Sequence, residues 1–274
     1  MTNYICTTCG VQFAESVAPP DACPICADHR QFVNWEGQQW TTIGDLRHDY
    51  ANVVRAEGYS LTGIGTEPAF AIGQRALLVQ VATGNFLWDC ISLIDSATVA
   101  AIQERGGLAA IAISHPHFCA SMVEWSRAFG SVPIYLHADD RSWVMHHDPA
   151  IVFWSGETYA IAKGLTLVRC GGHFPGSSVL HWAGGAGGRG ALLTGDTIQV
   201  VQDRRWLSFM YSYPNLIPLD PVAVGCIAAA VEPYPFEQIY GGWFDRNVLA
   251  DAKGALRRSA ERYLHAIGSA AQEA

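Results

Sequence analysis

Four of the eight cysteines fall in two C-x-x-C pairs, Cys6/Cys9 and Cys23/Cys26, inside the first 26 residues. Each pair sets two sulfurs on one tight turn, and two such turns can close a single tetrahedral site of four thiolates. The other four, Cys90, Cys119, Cys170 and Cys226, stand singly. That distribution is metal usage in a reducing compartment, not a disulfide framework. Zinc and iron both suit four sulfurs. The spacing therefore predicts a small metal-organised domain over residues 1–40, with residues 41–274 as the main body.

The stretch "YICTTCGVQFAESVAPPDACPICADHRQFV" resembles the short rubredoxin-like domain of rubrerythrins, with Gly10 after the second cysteine, Pro24 inside the second knuckle and Phe32 behind it. It departs at Ala27, where that family usually has glycine. The resemblance implies a rubredoxin-like zinc ribbon holding zinc or iron.

Half of the chain's 274 residues are hydrophobic, enough for a sizeable core. A net charge of −8 with 15% charged residues offers no basic patch, so nucleic acid and anionic membrane are not expected partners. The start "MTNYICTTCG" has no basic-then-apolar leader, and runs such as "PVAVGCIAAAV" are too short to span a bilayer. Cytoplasm is the expected location, and the low charge is compatible with a homo-oligomer.

"NWEGQQWTTIGDLRHDYANVVRAEG" reads as a polar and aromatic bridge with the domain boundary near residues 38–48, followed by strands from Tyr59 onward with turns at Gly58, Gly73 and Thr83-Gly84-Asn85. "DSATVAAIQERGG" has a capped helical pattern, "LAAIAIS" a buried strand, "ASMVEWSRAFG" a helix and "VPIYLHA" a strand. Strands fill residues 151–199, and a helix, the strand "FEQIYGG" and a last helix close the chain. The glycine-rich "WAGGAGGRG" lacks the Gly-Lys-Ser/Thr of a phosphate loop and reads as a hairpin connection.

At the end of "LAAIAIS" stand His115 and His117. Pro116 between them excludes a helix through both, so extended or turn backbone is expected, where alternate side chains share a side. His173 lies in the glycine-rich "CGGHFPGSS" and Asp196 closes the apolar "ALLTGD". A carboxylate ending a buried strand is costly unless it is paired or bound to metal. "SHPHFCAS", "GGHFPGSS" and "LLTGD", in that order after "NFLWDC", resemble the metallo-β-lactamase superfamily. The resemblance implies an α/β (α+β) fold, an αββα sandwich with the site at one edge. It implies His115, His117 and His173 as ligands of zinc or another divalent metal, Asp196 as a bridging or fourth ligand, and Asp89 as a carboxylate ordering the site from behind. The superfamily pattern H-x-H-x-D-H places Cys119 and Ala120 where second-metal ligands stand, and "IYGGWFDRN" lacks the late histidine. A mononuclear centre is expected.

Three histidines and a carboxylate leave a coordination position for water, whose pKa such a cation lowers to about 7. The expected reaction is hydrolysis of a small-molecule ester, thioester, lactone, amide or phosphoester. Asp196 and His137, the latter ending the strand "VPIYLHA", are the candidate catalytic residues. Trp206, Phe209, Tyr211 and Tyr213 could wall an apolar pocket, and Arg204, Arg205 or Arg246 could meet an anionic group. His146, His147 and His181 read as ordinary structural histidines. Two other readings are an iron redox enzyme fed by the four-cysteine site and a degenerate scaffold with a binding role.

Overall fold

A computed structural model describes residues 1–268. Residues Met1–Trp154 make one compact unit and Ser155–Ala274 another.

The first unit is built on a seven-stranded sheet of β1 (Ala51–Gly58), β2 (Leu61–Glu67), β3 (Arg75–Val81), β4 (Gly84–Trp88), β5 (Ala110–Ala112), β6 (Ile134–His137) and β7 (Ile151–Trp154), in that spatial order. β1 to β4 meander antiparallel, whereas β4 to β7 run parallel. Parallel strands need crossovers. α2 (Ser96–Gln103) and α3 (Met122–Ala128) supply two of them. α2 starts where the Asp95 carboxylate accepts the Thr98 amide at 2.7 Å, the cap the sequence signals. Leu77, Leu78 and Val79 are consecutive and all buried, the mark of a strand covered on both faces.

The stretch expected to be a polar bridge instead holds α1 (Ile43–Asp49) and, directly after it, β1. Thr42 caps α1 by accepting the Asp45 amide. β1 escapes sequence pattern because it is an edge strand whose side chains are exposed or half-buried, so apolar alternation is lost. Its Glu57 nevertheless reaches the buried Arg75 guanidinium at 2.8 Å, an ion pair tying the edge to β3. The four-cysteine segment belongs to this unit. Its Ile5 packs in one buried cluster with Leu46 of α1 and with Phe70 and Leu93 of the body.

The second unit carries a six-stranded sheet of β8 (Thr158–Ala162), β9 (Leu165–Arg169), β10 (Ser178–Trp182), β11 (Ala191–Gly195), β12 (Gln238–Gly241) and β13 (Asn247–Val248). Only β11 and β12 pair in parallel, and α4 (Pro221–Val231) lies on the long connection between them. Val224, Ile227 and Val231 of α4 and Ala252, Ala255, Leu256 and Ala260 of α5 (Ala252–Ala266) bury themselves with Val168, Leu192 and Ile239 of the sheet. The glycine-rich stretch joins the antiparallel β10 and β11, as expected of a hairpin. Among the described residues, no helix is long and apolar enough to cross a membrane.

Candidate metal centres

Zinc–sulfur bonds near 2.3 Å put the edges of a tetrahedron at about 3.8 Å. The Cys6 and Cys26 sulfurs are 3.5 Å apart and those of Cys9 and Cys23 3.7 Å. All four are buried and unbridged. Hydrogen bonding from Cys23, and then from Cys26, pushes the Cys6 thiol far below its ordinary value. Left-handed backbone at Gly10 (φ 80°) finishes the first turn, with its amide donating to the Cys6 carbonyl. Gln38 closes the cluster from outside: its Nε2 donates to Cys6 Sγ at 3.1 Å and its Oε1 accepts the Cys23 amide at 3.2 Å. No spacing rule points to Gln38, because its role depends on a fold-back of the chain. The four thiols fit a zinc-class or iron ion.

The second group begins where β5 ends. Parallel pairing sets Trp88 beside Ala112, so the residues following each strand lie side by side. There Asp89, buried and in left-handed backbone (φ 63°), accepts the Ser114 amide on Oδ1 at 2.7 Å. The carboxylate that the resemblance implies as an ordering group thus binds the residue before His115. Ser114 Oγ lies 3.0 Å from Nδ1 of His115. Pro116–Phe118 form one tight helical turn, within the extended or turn backbone expected for the pair. Proline is at home at the first position of such a turn, where no amide is needed. His115 precedes the turn in extended backbone, and its ring meets that of His117 at 5.3 Å between centroids. Asp28, held below the usual carboxylate range chiefly by the Arg30 guanidinium, also feels His117.

In the second unit, His173 donates from Nδ1 to the Met210 carbonyl at 3.0 Å, which leaves Nε2 as the lone-pair nitrogen. Asp196 follows β11, and its carbonyl accepts the Tyr213 hydroxyl at 2.8 Å. Burial pushes the Asp196 carboxyl up to about 7. His115 and His117 of the first unit and His173 and Asp196 of the second are buried, and each offers a ligand atom. Three imidazoles and one carboxylate are a donor set that zinc and similar divalent ions take.

His137 is not one of that group. It ends β6, its ring set edge-on to Trp154 at 4.5 Å and its Nδ1 accepting the Asp139 amide at 3.2 Å. Cys119 is also outside the group, and burial, then the Asp140 and Asp89 carboxylates, push its thiol well above the ordinary value. Of the aromatic residues after Asp196, Phe209 is wholly buried in the second core and Trp206 lies under the Arg262 guanidinium. Tyr213 alone approaches the ligands, 5.8 Å from the His173 ring. Arg205 is paired with Asp203 at the surface. Ser114 and Met210 are supports that motif reading missed, whereas Tyr213 was read as a pocket wall. Only Ser114, adjacent to a ligand, carried a local signal.

Compared with known proteins, the chain is 50% identical over 271 residues to the uncharacterized protein YmaE of Bacillus subtilis (strain 168), covering 98% of each chain. No protein-family model matches it. Among solved structures it is similar to the DIM-1 metallo-β-lactamase (TM-score 0.61, 14% identity, 78% of this chain and 98% of that one). It is also similar to FIM-1 from Pseudomonas aeruginosa in its mono-zinc form (TM-score 0.54, 15% identity, 77% and 95%). At these identities the likeness is one of fold.

Proposed function

Since the chain belongs to the family of YmaE and has the metallo-β-lactamase fold, we propose that it is a metal-dependent hydrolase of a small molecule bearing an ester, thioester, lactone or phosphoester. The carrying observation is the donor set itself: the buried pair His115 and His117 just after β5 and the buried His173 and Asp196 of the second unit, three imidazoles and a carboxylate such as one divalent ion takes. When bound there, a divalent ion such as zinc supplies a Lewis acid and water activated near neutral pH. The residues do the rest. Ser114 and the Met210 carbonyl fix the ring orientations of His115 and His173. Asp196 would supply the carboxylate of that donor set and is proposed to orient the water. His137 is proposed to line the substrate side.

A single ion is favoured. Cys119 is a buried thiol held neutral and Ala120 has no ligand atom. The mono-zinc form of FIM-1 supports a one-ion centre in this fold. The four-cysteine site is read as structural zinc.

Elemental analysis of the wild type and of His115→Ala tests the proposal, together with turnover of an ester and phosphoester panel. The expected result is two zinc ions per chain falling to one, with loss of metal-dependent turnover. Unchanged turnover in His115→Ala would sink it.

A further inference from the structure

The four-cysteine segment and the histidine loop are joined by a strut that the proposed chemistry does not itself require. Leaving the first knuckle, residues 10–14 run along the body of the first unit. The Gly10 carbonyl accepts the Ser92 hydroxyl at 2.7 Å. The Gln12 amide donates to the Ala120 carbonyl at 3.0 Å, and the Ala14 amide to the Met145 carbonyl at 3.1 Å. Gln12 Oε1 meets His146 Nδ1 at 3.2 Å. Val11 and Gln12 are buried, so solvent does not compete for these bonds.

The two ends of the histidine loop are thus held from different places. Its leading end is held by Asp89 through Ser114. Its trailing end is Ala120, a residue with a side chain in left-handed backbone (φ 44°). Such a conformation persists only where the surroundings impose it. The imposing group is the Gln12 amide. Gln12 is placed by the knuckle, because Cys6 donates its amide to Val11, Gly10 donates to Cys6, and Ile5 bridges Gln12. There is no slack at the join either: a Cβ on Gly10 would lie 2.6 Å from Ser92 Oγ.

We infer that the four-cysteine site is a positioning element for the histidine site: metal in the knuckles fixes residues 10–14, which hold Ala120 and with it the spacing of His115 and His117. Residues that orient metal ligands typically tune affinity by about 10–100-fold. This rests on the reading of the histidines as a metal site, and it makes Gln12 a positioning residue, acting through its main chain.

The test is zinc affinity at the histidine site, by competition with a chromophoric chelator, with His115→Ala identifying which zinc is being read. Hydrogen exchange of the amides of residues 115–121 is the second readout. Gln12→Pro deletes the amide and leaves all four cysteines. Gln12→Ala keeps the amide and loses only the side-chain bond to His146. Cys23→Ser unloads the knuckles without touching the strut. Gln12→Pro and Cys23→Ser are expected to weaken histidine-site zinc at least tenfold and to speed exchange in the loop, while Gln12→Ala stays near wild type. Wild-type affinity in both would overturn the inference. If Cys23→Ser does not fold, Gln12→Pro decides alone. A wild-type protein with no zinc at the histidines would overturn this inference and the hydrolase reading together, whereas normal zinc there with unchanged affinity in the variants overturns this one only.

Discussion

The Asp89 carboxylate accepts the main-chain amide of Ser114 at 2.7 Å, one residue before His115, from left-handed backbone of its own. The bond is buried, so removing the acceptor strands an amide away from water at a cost of about 1–3 kcal/mol. Asp89→Ala should lose about that much stability and weaken zinc at the histidine site by roughly 10–100-fold. Asp89→Asn keeps an acceptor oxygen and tolerates the backbone, and should retain most of both. Chelator competition and thermal unfolding check the pair. Full zinc affinity in the alanine variant would remove Asp89 from the site.

The lone cysteines should differ sharply in reactivity. Cys90, Cys119 and Cys170 are buried, and burial is the largest cause of the rise in each thiol, to about 12 for Cys170. Since the thiolate is the reactive form, these three stay neutral and shielded at pH 8. Cys226 is exposed. Alkylation of the native zinc-loaded protein should therefore add one label, at Cys226, as read by mass spectrometry. Labelling of Cys119 at a comparable rate would contradict the neutral buried thiol on which the one-ion reading leans.

His181 on β10 is buried and donates from Nε2 to the Pro235 carbonyl at 2.9 Å. Burial lowers its pKa below the ordinary 6.5. The unfolded chain then takes up the proton first as pH falls, so the stability contribution is full above about 6.5 and is lost on acidification through the folded-state value. His181→Gln should flatten that part of a stability-against-pH curve measured by denaturant unfolding. An unchanged curve would mean that other groups carry the acid response.

Two glycines of the β10–β11 connection make a sharper mechanical contrast. Gly190 has φ 86°, and a Cβ there would run into the Pro235 carbonyl. Gly187 has φ 67° and nothing within 4 Å of an added Cβ. Gly187→Ala should cost only left-handed strain, of order 1–3 kcal/mol. Gly190→Ala should cost clearly more, because backbone has to move as well. Equal melting temperatures for the two variants would show that the hairpin relaxes freely.

Much of the histidine site was legible because its parts sit where short motifs end strands. His115, His117, His173 and Asp196 each follow or interrupt an apolar run, and four ligand-type residues in that pattern carry more information than any one of them. The knuckles were legible from spacing alone. What escaped was an edge strand and the contacts made only once the chain has folded back. β1 is an edge strand whose half-exposed side chains show no alternation, Gln38 reaches Cys6 only after the chain folds back, and the hold of Gln12 on Ala120 involves no side chain. The aromatic residues after Asp196 show the opposite difficulty. Phe209 and Tyr213 look alike in sequence, yet one is core and the other borders His173: Phe209 lies between two short strands and Tyr213 opens the turn after the second.

The parallel run of β4 to β7 has a consequence for how such a protein can change over generations. Registers pair Trp88 with Ala112, Ala112 with Tyr135, and His137 with Trp154, so the segments that follow Trp88, Ala112 and His137 emerge along one rim. The buried Leu87, Ile111 and Leu136 lie behind that rim, within the strands. Insertions or exchanges beyond the strand ends can thus rework what the molecule recognises while leaving the residues that drive folding untouched. Descendants of this chain can diversify in substrate at that rim without having to rediscover a stable sheet.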